Sequence, residues 1–159
     1  MKFIFILRDP VYRALSAWNM YHYVFFNHHK FSKHYDSRSF KTAIEAEIIT
    51  FNQDDWYSNR VSYVKRGVYY DQLLKYQKFF PKENILIIEH NELINQFCDT
   101  ISLICKFLNI PEQALVNKKA NEGIVLDYSA FQEQINLLKE FYKPYNKKLF
   151  ELIQKEYDW

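Results

Sequence analysis

A chain of 159 residues with a formal net charge of +2 has the length of one domain, and its basicity is too mild to mark a nucleic-acid binder while remaining compatible with a small-anion site. Hydrophobic residues at 48% and charged residues at 25% exclude a disordered chain, and a content of only two glycines excludes a glycine-rich phosphate loop. No apolar run reaches the roughly 18 residues of a membrane span, and the short apolar start lacks a full signal-peptide core and cleavage site, so a cytoplasmic chain without a membrane partner is expected.

Phe3-Ile4-Phe5-Ile6-Leu7 is an apolar run rich in β-branched and aromatic residues, which predicts a short strand buried on both faces within a parallel sheet. Asp9 has the side chain of a helix N-cap and Pro10 the fixed φ of a first helical residue, so the strand should turn straight into a helix. That leaves Arg8 at the carboxyl end of the strand. In open α/β sheets this edge is where ligands bind, and a guanidinium fork matches phosphate geometry. At about 100° per residue, Val11, Ala14, Leu15, Trp18, His22 and Phe25 share one helix face, while Arg13, Ser16, Met20, Tyr23 and Asn27 fall roughly opposite. Ser16 therefore points away from the apolar stripe, where its hydroxyl could join Arg8 in holding an anion. Arg13, four residues after Asp9, is placed to pair with that cap in a structural role.

Residues 27–39 are polar and basic and read as a surface loop; His28, His29 and His34 lie there without cysteines or carboxylates at ligand spacing, so no metal is expected. Ser39 should cap a helix over residues 40–51, with Phe40, Ala43, Ile44, Glu47 and Ile48 at helical intervals. Residues 52–59 read as a loop with an exposed Trp56. The next block starts a helix running to about residue 80, with Gly67 admitting another backbone at its start; Tyr69 and Tyr70 suit the core edge and ligand contact equally. Pro81 ends that helix, residues 84–89 form a second buried strand, and residues 93–108 one long helix stopped by Asn109-Ile110-Pro111. Cys98 and Cys105 lie on that helix about 10 Å apart, beyond disulfide reach, and should be reduced thiols. Lys118 and Lys119 fall in a basic loop, Asp127 in a cap, and the C-terminal segment reads as two amphipathic helix pieces around Pro144, with Tyr142, Tyr145, Leu149 and Leu152 facing the core.

Arg8-Asp9-Pro10-x-x-Arg13-x-x-Ser16 resembles the 3′-phosphate-binding segment of sulfotransferases that use 3′-phosphoadenosine 5′-phosphosulfate, whose arginine and serine fall on Arg8 and Ser16. Three further blocks resemble the same family in its order. Ser39-Phe40-Lys41-Thr42-Ala43-Ile44-Glu45-Ala46-Glu47 is similar to its "SFEEAIEAE" stretch, and Arg66-Gly67-x-Tyr69-x-x-Gln72-Leu73 to a motif on the helix lining its cleft. Phe141-Tyr142-Lys143-Pro144-Tyr145-Asn146 through Leu152, with Trp159, resembles its "FYxPxNxxLxELL…W" ending. Where the family's later strand ends in an aromatic and an acidic pair, this chain has His90 and Asn91-Glu92.

The resemblance, to a bacterial-type or heparan-sulfate-sulfotransferase-like domain, implies a P-loop-NTPase-like α/β fold: a parallel sheet flanked by helices, mostly helical here. It implies a single partial domain over residues 1–159, truncated at its N-terminus, because the family's 5′-phosphosulfate loop with its catalytic lysine has no counterpart after Met1. The implied donor is 3′-phosphoadenosine 5′-phosphosulfate and the acceptor a hydroxyl or amine, on a carbohydrate. Arg8 and Ser16 would hold the nucleotide, with Lys118 and Lys119 as counterparts of a basic loop closing over its phosphates. The catalytic residue is unassigned: some relatives place a histidine four residues after the serine, where Met20 stands, and His22 lies about 160° around the helix as a core residue. Two alternatives stay open, a non-catalytic helical module for a protein or RNA partner and another nucleotide-binding transferase of this fold. Uncovered sheet edges would also favour self-association.

Overall fold

The computed structural model describes residues 1–27, 32–52, 61–112, 115–116 and 126–159. The chain divides into two units, residues 1–8 with 71–121 and residues 9–70 with 122–159. Trp56, His28, His29, Lys118 and Lys119 fall outside the described residues.

In the first unit, Phe3–Leu7 forms strand β1 and Ile85–Glu89 strand β2, paired in parallel with Phe3 opposite Ile85 and Leu7 opposite Glu89. Alternation along β1 puts Phe3 and Phe5 on one face. Their rings meet Tyr76 at 5.3 and 4.9 Å, and Phe3 meets Phe80 at 4.4 Å. The opposite face is less well covered: Ile6 is 49% exposed, so the expected two-sided burial of β1 does not hold. Tyr76 lies on helix α3 (Tyr69–Gln77), which the division between units crosses.

The helix expected over residues 93–108 is two helices, α4 (His90–Asn95) and α5 (Phe97–Leu108). Gln96 leaves helical geometry with φ −125° and ψ 47°, and the buried Thr100 hydroxyl donates to the Glu92 carbonyl at 3.1 Å. The Glu92 carbonyl also keeps its helical donor, the Gln96 N–H at 2.8 Å, so the Thr100 hydroxyl adds a second bond at the break, one that apolar periodicity does not reveal. Asn109 ends α5 in the left-handed region, φ 60°, with Ile110 N–H donating to the Cys105 carbonyl and Asn109 N–H to that of Lys106. This is a Schellman closure with asparagine in the place glycine usually takes. Cys98 is exposed, Cys105 buried, and both are free.

In the second unit, the Asp9 carboxylate accepts from Val11 N–H at 2.8 Å and helix α1 runs Pro10–Asn19, as its sequence predicts. A single wider π turn, Met20–Val24, continues it. Helix α2 is Phe40–Ile49, capped by Ser39, whose Oγ accepts from Thr42 N–H at 3.1 Å. A short 3-10 turn, Lys65–Gly67, follows, and Asp127 caps another at Tyr128–Phe131. Helix α6 then runs unbroken from Gln132 to Ile153. The two pieces expected around Pro144 are one helix. Pro144 lacks the N–H that would bond the Glu140 carbonyl, but both residues are exposed, so the gap lies on the outer side.

The core of this unit joins Val11, Ala14, Leu15 and Trp18 of α1 to Phe40, Ala43 and Ile44 of α2 and to Ile135, Leu138 and Tyr142 of α6, with Tyr63, Val64 and Val68 between them. His22 stacks on Trp18 at 4.6 Å, and its Nδ1 donates to the Asp36 carbonyl at 2.8 Å, the satisfied structural histidine its position predicts. Gly67 admits a side chain rather than another backbone: a Cβ there would stand 2.6 Å from the Tyr142 hydroxyl. Among the described residues, no helix is long and apolar enough to cross a membrane.

Candidate functional site

The parallel register sets the geometry of the carboxyl edge of the sheet. Because Leu7 pairs with Glu89, the chain leaves both strands at the same level, and Arg8 and His90 are the next residues along. Glu89 ends β2 and begins α4 as a capping box: its carboxylate accepts from Asn91 and Glu92 N–H at 2.9 and 3.3 Å, and the Glu92 carboxylate accepts from Glu89 N–H at 3.0 Å. Two glutamates three residues apart at a strand-to-helix junction were the signal for this box. Burial holds the His90 imidazole below its ordinary value, the charge of Arg8 adds to that depression, and Glu89 opposes it. Arg8 and His90 therefore share one electrostatic environment at the edge where an α/β sheet receives ligands.

Ser16 belongs to the second unit, on α1. It is exposed, as is Met20 one turn later, while Ala14, Leu15 and Trp18 are buried on the other side. The hydroxyl is thus directed away from the core, as the helical angles predict. Arg13 keeps a structural role with a different partner: its guanidinium donates to the Tyr63 carbonyl. Tyr69 is buried against Trp159, with ring centres 5.9 Å apart, and Lys148 lies 6.0 Å over the half-buried Tyr70 ring.

Beneath α1 lies a polar cluster that sequence patterns left unassigned. Glu47 occupies an apolar position of α2, and its buried carboxylate accepts from Tyr63 N–H at 2.7 Å, Val64 N–H at 2.8 Å and the Ser62 hydroxyl at 3.2 Å. Asp36 accepts from Arg38 Nε at 2.9 Å and Nη2 at 2.7 Å and from the Tyr63 hydroxyl at 2.9 Å. Burial pushes the Asp36 carboxyl up, but the Arg38 and Tyr63 hydrogen bonds outweigh it and hold the group below its ordinary value of 3.8. A carboxylate lowered on folding stabilises the native state above its unfolded value and loses that contribution as pH falls toward the folded value. The stability advantage of the wild type over Asp36→Asn should accordingly shrink as pH is lowered from neutral to below 3.8, as urea unfolding at stepped pH would show. An advantage constant across that range would contradict the assignment.

Among the described residues, no group of three or more His, Cys, Asp or Glu side chains is placed to hold a metal ion. What the described residues offer is an arginine at the carboxyl edge of a parallel sheet and, in the other unit, an exposed serine on the helix that follows.

The family model described as the sulfotransferase domain matches residues 1–143. Heparan sulfate glucosamine 3-O-sulfotransferase 5 of Mus musculus is similar at 23% identity over an alignment of 184 positions, which takes in 100% of this chain and 49% of that protein. The Homo sapiens protein of the same name is similar at 22% identity with the same coverage. A crystal structure of a sulfotransferase from Alicyclobacillus acidocaldarius has the same P-loop-like α/β fold, with a TM-score of 0.70 at 21% identity over 98% of this chain and 56% of that one. This chain spans about half the length of the curated relatives it matches. With the family model covering most of its length, the chain belongs to the sulfotransferase domain family.

Proposed function

We propose that this chain is the nucleotide-holding part of a sulfotransferase that takes its sulfuryl group from 3′-phosphoadenosine 5′-phosphosulfate, with Arg8 and Ser16 as ligands of the 3′-phosphate. The observation that carries the reading is the position of Arg8 directly after β1, at the carboxyl edge of a parallel pair. A guanidinium there can give two parallel N–H bonds to a phosphate, and an outward hydroxyl such as that of Ser16 can add a third. These groups bind and orient the donor. Transfer itself also requires positive charge at the leaving phosphate oxygen and a base at the acceptor, roles that the described residues leave unassigned.

The two units would serve together as one partial sulfotransferase domain. The acceptor would be a hydroxyl or amine of a carbohydrate, a reading supported by the heparan sulfate named for the two mammalian relatives. Calorimetric titration with adenosine 3′,5′-bisphosphate tests the half-site. Arg8→Ala should weaken binding by about 10- to 100-fold, the usual worth of hydrogen bonds to a charged group, and Ser16→Ala by less. Unchanged affinity in a folded Arg8→Ala variant would refute the assignment.

A further inference from the structure

Residues 139–159 enclose, with the start of α1, a cavity of about 670 Å³ that contains neither Arg8 nor Ser16. Its lining lies entirely within the second unit, and its volume is in the range of small-molecule sites. It therefore lies beyond the function proposed above.

The order of residues on α6 determines the cavity's chemistry. Taking Lys143 as the centre of a face, at about 100° per residue, Lys139, Lys147 and Phe150 fall within about 40° of it. Asn146 lies on one flank, about 60° away, and the acids Glu140 and Glu151 on the other, about 60–80° away. The lysines thus form a ladder with one rung per turn along the middle of the lining, while Glu140 and Glu151 stand at its margin. The other two acids are Glu156, beyond the helix end, and Asp9, whose carboxylate already accepts the Val11 N–H at 2.8 Å. Phe150 and Trp159, with ring centres 5.4 Å apart, supply an aromatic wall, and Trp159 is stacked at 5.0 Å on Tyr157. Lysine ammonium groups beside an aromatic wall suit a ligand with an anionic group on a flat or chair-shaped ring.

We propose that this cavity binds a six-membered ring carrying a carboxylate or sulfate, with the ring against Phe150 and Trp159 and the oxyanion on Lys143 and its neighbours Lys139 and Lys147. A sugar acid and an aryl acid share this chemistry. Nuclear magnetic resonance titrations of the 159-residue chain with methyl glucuronide and with phenyl sulfate separate them. Methyl glucoside and inorganic sulfate serve as the uncharged and ringless controls.

At least one ring acid should saturate the cavity resonances, neither control should match it, and the better binder identifies the source. Lys143→Ala should weaken that binding about tenfold, Lys143→Arg should retain most of it, and Lys148→Ala, on the neighbouring face over Tyr70, should leave it unchanged. Failure of both ring acids to saturate, inorganic sulfate binding as tightly as either, or wild-type affinity in Lys143→Ala would each overturn the proposal. Because the nucleotide residues lie outside this cavity, adenosine 3′,5′-bisphosphate titrated separately reports on the half-site independently.

Discussion

Gly67→Ala should cost about 3 kcal/mol of unfolding free energy, measured by urea denaturation, although it adds a single methyl group. The added carbon would stand 2.6 Å from the Tyr142 hydroxyl, 2.8 Å from its Cζ and 2.9 Å from the Pro10 side chain, all inside van der Waals contact. Tyr142 cannot move aside cheaply. It is fully buried in the core joining α1 and α6, and its hydroxyl donates to the Val64 carbonyl at 2.9 Å. Burial holds the phenol well above its ordinary value, so the hydroxyl stays protonated as that donor. Removing the hydroxyl with Tyr142→Phe leaves the Cζ contact, so the double variant should recover only part of the loss. Near-wild-type stability in Gly67→Ala would show that the phenol has room to shift.

Glu47→Ala should be comparably damaging, by about 3 kcal/mol, through lost hydrogen bonds rather than crowding. The substitution strands the Tyr63 and Val64 N–H groups in a fully buried place where this carboxylate is their acceptor. An unsatisfied buried donor costs about 1–3 kcal/mol, and two are created together. Glu47→Gln keeps one acceptor oxygen but turns an amide N–H₂ toward a backbone donor, so it should fall between wild type and Glu47→Ala in a thermal melt. Equal melting of Glu47→Ala and wild type would mean that the clamp is dispensable.

The features legible in the sequence are those decided by neighbouring residues. Asp9 and Pro10 specify the turn from β1 into α1, Ser39 starts α2, and the outward direction of Ser16 follows from the helical period. Features decided across long separations were harder to read. Arg13 has an acceptable local partner in Asp9, yet its guanidinium goes to the carbonyl of Tyr63, fifty residues away. Glu47 was visible as an acid on an apolar stripe, but its acceptor role depends on the later segment holding Tyr63 and Val64. Apolar spacing continues across Gln96 and across Pro144, so periodicity alone could neither locate the break between α4 and α5 nor exclude one in α6.

At the candidate site, the motif is what nominates Arg8 and Ser16, while the nearness of Arg8 to His90 required the parallel register of β1 with β2. That register explains why a histidine so distant in the sequence responds to the arginine. Lys118 and Lys119 stay with the family pattern alone, outside the described residues.

The most direct test of the account is the nucleotide preference of the folded wild-type chain, measured by calorimetry with adenosine 3′,5′-bisphosphate against adenosine 5′-monophosphate. Tighter binding of the 3′-phosphorylated ligand by at least about tenfold is predicted, since charge-assisted bonds from an arginine are worth that much or more. Equal affinity for the two nucleotides, or binding of neither, would contradict the 3′-phosphate site at Arg8 and leave the family relationship as one of fold.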